Sequence, residues 1–117
     1  MKYSRNLAVT LLLLLFTSPS FSHTTVTETV PRSGSVMERS PAVIKLAFAH
    51  AARLTSVLLV GPDDSQRKLE FTPAGSSDSF QFPDPGMITG RNEIRWKALS
   101  DDGHVISGSM IYTIKPE

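Results

Sequence analysis

Three histidines and one short turn are the places where this sequence could do chemistry: His23, His50, His104, and the run Asp102-Gly103-His104. If that run is extended, Asp102 and His104 face the same side, because strand side chains alternate. A carboxylate oxygen and an imidazole nitrogen on one side are two metal ligands. The plain alternative is a solvated turn ahead of the last strand, with Gly103 in a conformation closed to most residues.

His23 gains meaning from what precedes it. Lys2 and Arg5 open the chain, Leu7 to Phe16 is almost wholly apolar, and Ser20 and Ser22 are small. This is the three-part pattern of a secretory signal peptide. The apolar run is short for a bilayer span, and the small residues favour a cleaved leader over the alternative of a retained anchor. We therefore expect a signal peptide over 1–22, cleavage after Ser22, and a mature domain over 23–117 that starts at His23. An N-terminal His offers its α-amine and ring Nδ1 to one ion in a six-membered chelate. His104 adds a third nitrogen and Asp102 an oxygen. Three nitrogens and one oxygen in a tetragonal arrangement suit Cu(II), whereas Mg and Ca want oxygen shells. The alternative for His23 is accident, since some residue must follow the cleavage site.

Composition narrows the classes further. At 117 residues the chain is one domain. It has no cysteine, which removes disulfides, thiolate metal sites and cysteine nucleophiles together. Lys plus Arg is 12 and Asp plus Glu is 11. Removing Lys2 and Arg5 with the leader leaves 10 against 11, a net charge of −1. No basic excess exists to neutralise phosphates, so nucleic acid is not expected as a partner. The 95 residues from 23 to 117 suffice for a core without disulfides.

The elements that must position these residues read as short strands. Ile44, Leu46 and Phe48 alternate on one face, and Ser56 to Val60 is a compact apolar run ended by Gly61-Pro62-Asp63-Asp64. Arg67 to Phe71 alternates, as do Phe80 and Phe82. Ile94, Trp96 and Ala98 point inward over Asn92 to Ala98, and Met110, Tyr112 and Ile114 do so over Ile106 to Ile114. Val26 to Val30 is a further short strand. Arg39 to Pro41 and Gly75 to Asp78 read as loops. About seven strands between turns, with no sustained helical period, predict an all-β sandwich or barrel. Met110 reads as core packing, and Asp101 as solvated.

Together these residues resemble the CopC-type periplasmic copper-binding proteins, also called copper-resistance proteins C. The resemblance covers the whole mature chain. His23 stands ahead of Pro31 and Gly34 as in that family's opening, with Thr29 where a Ser is usual. Pro41 to Phe48 matches its Pro followed by a strand ending in Phe. Trp96, then Ser100-Asp101-Asp102-Gly103-His104, then Ser107-Gly108-Ser109 match its most specific motif. The resemblance implies a seven-stranded Greek-key β-sandwich of immunoglobulin-like or cupredoxin-like form. It implies a periplasmic location and one Cu(II) per mature chain, held by His23, Asp102 and His104. It also implies copper buffering, resistance or hand-over, with an inner-membrane copper-transport protein as partner and the chain itself a monomer. His50 departs from the family, where a Glu or other polar residue is common. The equivalent position lies near the family's copper. On the Ile44-Leu46-Phe48 alternation, His50 is expected on the core-facing side at the strand end, as a further nitrogen ligand or as a residue holding a ligand by a hydrogen bond; the plain alternative is an exposed loop His after Ala49. Some members carry a Met-rich Cu(I) loop. Here Met37, Met87 and Met110 are scattered, so no Cu(I) site is inferred.

Two other classes compete. Copper-dependent oxidative enzymes also use an N-terminal His, but they are usually larger and carry an aromatic substrate platform. Gly-x-Ser-x-Gly is absent, so no catalytic residue is assigned and no enzyme is expected. A metal-free immunoglobulin-like interaction module would explain the strands equally well, but not a mature N-terminal His together with Asp-Gly-His.

Overall fold

The computed structural model describes residues 25–117. Seven strands follow one another: β1 (Val26–Val30), β2 (Val36–Met37), β3 (Val43–Val60), β4 (Gln66–Lys68), β5 (Ser76–Pro83), β6 (Gly90–Ser100) and β7 (Val105–Ile114). The expected all-β class holds, but the seven strands are not the seven anticipated.

The segments around Ile44 and Val57 are one strand. β3 runs 18 residues without a break. Val26 to Val30 pairs with its first half, and β6 with its second half. β5 pairs with both halves, and β4 with Leu58 to Val60. Strands that meet the same β3 residues must lie on opposite edges. β1 and β6 therefore share one edge in succession, and β5 and β4 share the other. The register shifts between Ala47 and Ala52 and again between Leu54 and Ser56. Irregularities of this kind bend a strand and let it pass from one layer to the next. β6 then pairs with β7 from Gly90 to Leu99, and β2 adds in parallel to the end of β7.

The two layers close on an apolar core supplied by alternate residues of each strand. Ile44, Leu46, Phe48, Leu54, Val57, Leu59, Phe80, Phe82, Ile94, Trp96, Ala98, Met110, Tyr112 and Ile114 are all buried. Phe48 makes edge contacts with Phe80 at 6.0 Å and with Trp96 at 5.2 Å. Such edge-to-face pairs add to the burial of their area. Gly108 is required here: a Cβ at that position would lie 2.5 Å from Trp96 Cζ2. The buried Asn92 amide is satisfied by the loop before it. It donates to Ile88 O and Gly90 O and accepts from Ile88 N, as a buried amide must.

Two further expectations are corrected, and one strand was not anticipated. Ser76 to Asp78 is the start of β5, not loop. The strand near Arg67 stops at Lys68, although Leu69 N still donates to Val57 O. β2 carries no alternation that sequence could show.

Candidate metal centre

β6 ends at Ser100 and β7 begins at Val105, so Asp101 to His104 must reverse the chain. Gly103 takes φ +86°, the left-handed region that favours glycine. Gly103 N donates to Ser100 O, and Ser100 N to His104 O, both at 2.9 Å. The segment is thus a turn and not an extended strand. Asp102 and His104 meet all the same, because the Asp side chain bonds back onto the turn. Such bonding is the usual reason for Asp at these places.

The carboxylate divides its work. Asp102 Oδ1 accepts the His104 backbone N–H at 3.2 Å and the Ser100 hydroxyl. Asp102 Oδ2 lies 3.0 Å from His104 Nδ1. The Ser100 hydroxyl, the His104 amide and the His104 charge, in that order after allowing for opposing desolvation, hold the Asp102 carboxyl below its usual range. An ionised, oriented carboxylate beside an imidazole is a donor pair for a metal ion. When Nδ1 carries the hydrogen it donates to Oδ2 and the basic lone pair lies on Nε2, on the far side of the ring; for one ion to take both side chains, the exposed His104 ring must turn out of this contact. Carboxylate oxygens keep further lone pairs for a cation.

Ser100 is the residue that sequence reasoning passed over. It is buried at 6% exposure, and it anchors Asp102. The signal was present, since Ser two positions ahead of Asp in a turn is a local hydrogen-bonding pair.

His50 requires a correction. It is exposed, and it sits within β3, not at its end. Phe48 and Ala52 on either side in the alternation are buried. The register shifts between Ala47 and Ala52, and Ala49 and His50 are exposed within that shift, so His50 is not core-facing. Its place along the strand is still informative. Ala52 pairs with Ser100, so His50, two residues earlier in β3, lies toward the β6–β7 turn. Among the described residues no group of three His, Asp or Glu side chains comes together to hold a metal; the structure joins Asp102 with His104, without His50. His23 and the expected signal peptide lie outside the described residues.

The CopC domain family model matches residues 26–115. The chain belongs to the CopC family. A curated relative, the copper resistance protein C of Xanthomonas campestris pv. juglandis, is 25% identical over 124 residues, covering 95% of this chain and 97% of its own. The fold is that of solved CopC-family structures. CopC from Methylosinus trichosporium OB3b superposes with a TM-score of 0.67 at 18% identity, over 81% of this chain and 96% of its own. PcoC from Escherichia coli, described as a methionine-rich copper resistance protein, gives 0.58 at 24% identity, over 80% and 99%. CopC-family proteins are copper-binding resistance proteins and not enzymes, which sets aside the oxidative-enzyme reading.

Proposed function

We propose that this CopC-family protein binds one Cu(II) ion in the periplasm, to buffer copper or to hand it to an inner-membrane copper-transport protein. The ligands are the α-amine and ring of His23, the Asp102 carboxylate and His104, and the signal peptide over 1–22 must be removed to free that amine. The mature domain acts as a monomer.

One observation carries the ligand set. Thr25 O accepts from Ala49 N at 2.8 Å, and Ala52, three residues along β3, pairs with Ser100. β1 therefore begins at the end of the molecule that holds the Asp102–His104 turn. His23 is only two residues ahead of Thr25, a reach of about 7 Å. His50 stands next to Ala49 at that same end, which supports reading it as a further nitrogen ligand or as a residue that holds a ligand through a hydrogen bond. Nitrogen and oxygen donors select the oxidised ion, and Cu(I) prefers thioethers. Met87 and Met110 are buried in the core and supply none to this end. Reduction would thus loosen the ion and provide a release route, and titration of the copper-loaded protein with ascorbate tests it.

The decisive experiment places one Gly ahead of His23 in the processed chain. The extra residue separates the amine from the imidazole, and Cu(II) affinity should fall by orders of magnitude. Equal affinity would overturn the chelate. Mass spectrometry of the exported protein, for its N-terminus and bound metal, checks cleavage and stoichiometry in one measurement.

A further inference from the structure

The charges of this nearly neutral chain are not evenly spread. Residues that point away from the core along β4, β3, β6 and β7 form one outer face. The pairings set its rows: Lys68 beside Leu58 beside Arg95 beside Ser109, then Ser56 beside Lys97 beside Ser107, then Arg53 beside Leu99 beside Val105. Arg91 continues the β6 line next to Thr113. Arg53, Lys68, Arg91, Arg95 and Lys97 are all exposed. Glu93, bound to Arg95 Nε at 3.2 Å, is the one acid among these strand positions. The opposite layer, built by β1, the first half of β3 and β5, carries one cation, Lys45, on those strands. Asp63, Asp64, Glu70, Asp101 and Asp102 follow the strands onto the turns and edges and stay off the face.

We propose that this face is a docking surface for an anionic lipid membrane. Three features favour a lipid surface over an acidic protein. The cations are spread over a sheet, about 3.4 Å per residue along β6 and about 4.8 Å between strands, without converging on a point. Between them lie aliphatic side chains: Leu58, Val60 and Ile111 are half-buried, and Leu99 and Val105 are 39% and 71% exposed. Long Lys and Arg stems over aliphatic surface are suited to a headgroup layer. The broad cleft between Thr25 to Val30 and Ile106 to Met110 meets this face only at Ser107 and Ser109 on its margin, and so leaves the Arg53, Lys97 and Val105 part without a seat for a protein anchor there. Leu99 and Val105 flank the Asp102–His104 turn, so docking would hold that turn at the membrane surface.

Each basic side chain close to an anionic bilayer strengthens partitioning about fivefold, and salt screens the effect. The test is sedimentation of the processed, exported chain with vesicles of phosphatidylcholine containing phosphatidylglycerol, against vesicles of phosphatidylcholine alone, with no copper present. Binding to the anionic vesicles only, lost at high salt, is the expected result. The double variant Lys68→Glu with Lys97→Glu changes the face by four charges and should lower partitioning by about a hundredfold or more. An unchanged circular dichroism spectrum would show that this variant is folded, and Arg53→Gln offers a milder second variant with a severalfold loss. Equal binding to both vesicle types, no binding to either, or full binding by the folded double variant would each overturn the proposal. Retention of the protein on polyglutamate without sedimentation would assign the face to an acidic protein and overturn the lipid reading. Because the assay contains no metal, its failure would leave the copper reading untouched.

Discussion

Asp102 is asked to do two things at once, and the two can be separated. One oxygen closes the turn through Ser100 and the His104 amide, and the other orients the His104 ring. Asp102→Asn keeps an oxygen for the turn but replaces the acceptor facing Nδ1. We expect the variant to fold like the parent and to bind Cu(II) at least about 10–100-fold more weakly, since it loses a charged ligand as well as the partner that orients His104. His104→Ala should lose more affinity and also remain folded, since His104 is exposed. Copper titration followed by electron paramagnetic resonance checks both. If His104→Ala unfolds the domain, the ring is structural and not a ligand. At this scale Asp102 and His104 were legible as a pair, because spacing fixes proximity in a strand and in a tight turn alike. His50 was misplaced because alternation was extended through a bend that leaves no mark in residue type.

Among the elements, Trp96 and Gly108 form a matched pair across β6 and β7. Gly108→Ala would force its new methyl into the indole. Overpacking of this kind typically costs about 1–3 kcal/mol. Trp96→Ala removes the ring that meets Phe48 and should cost about 3–5 kcal/mol. Urea denaturation followed by circular dichroism measures both, and a Gly108→Ala midpoint equal to that of the parent would show that the sheet yields without cost. Inward residues such as Ile94, Trp96, Met110 and Tyr112 were readable because each strand has one buried face with period two. The union of the Ile44 and Val57 segments was not readable. His50 to Ser56 mixes small, basic and polar residues, which suits a corner as well as a loop. β2 was invisible because two residues cannot display a period.

At the scale of the whole molecule, Tyr112 ties the last strand to the first connection. Its ring is fully buried and its hydroxyl donates to Pro31 O at 2.6 Å. Burial raises its pKa above the ordinary phenol value, and a hydrogen bond with Thr29 offsets part of that rise. The consequence for stability has a definite sign. Below about pH 10 the phenol is neutral in both folded and unfolded chains, and its contribution is constant. Above that value the unfolded chain ionises first, because only the folded state resists losing the proton. Stability therefore falls as pH rises from about 10 toward the raised folded value. Tyr112→Phe should be less stable than the parent at neutral pH by about 0.5–1.5 kcal/mol, the net worth of a typical hydrogen bond. The same variant should lack the tyrosine's share of the alkaline decline, so the gap between the two proteins narrows as pH climbs past about 10. Denaturant midpoints measured from neutral to strongly alkaline pH would show this convergence. Parallel curves would mean that Tyr112 keeps an ordinary pKa, and that its bond to Pro31 matters only for packing.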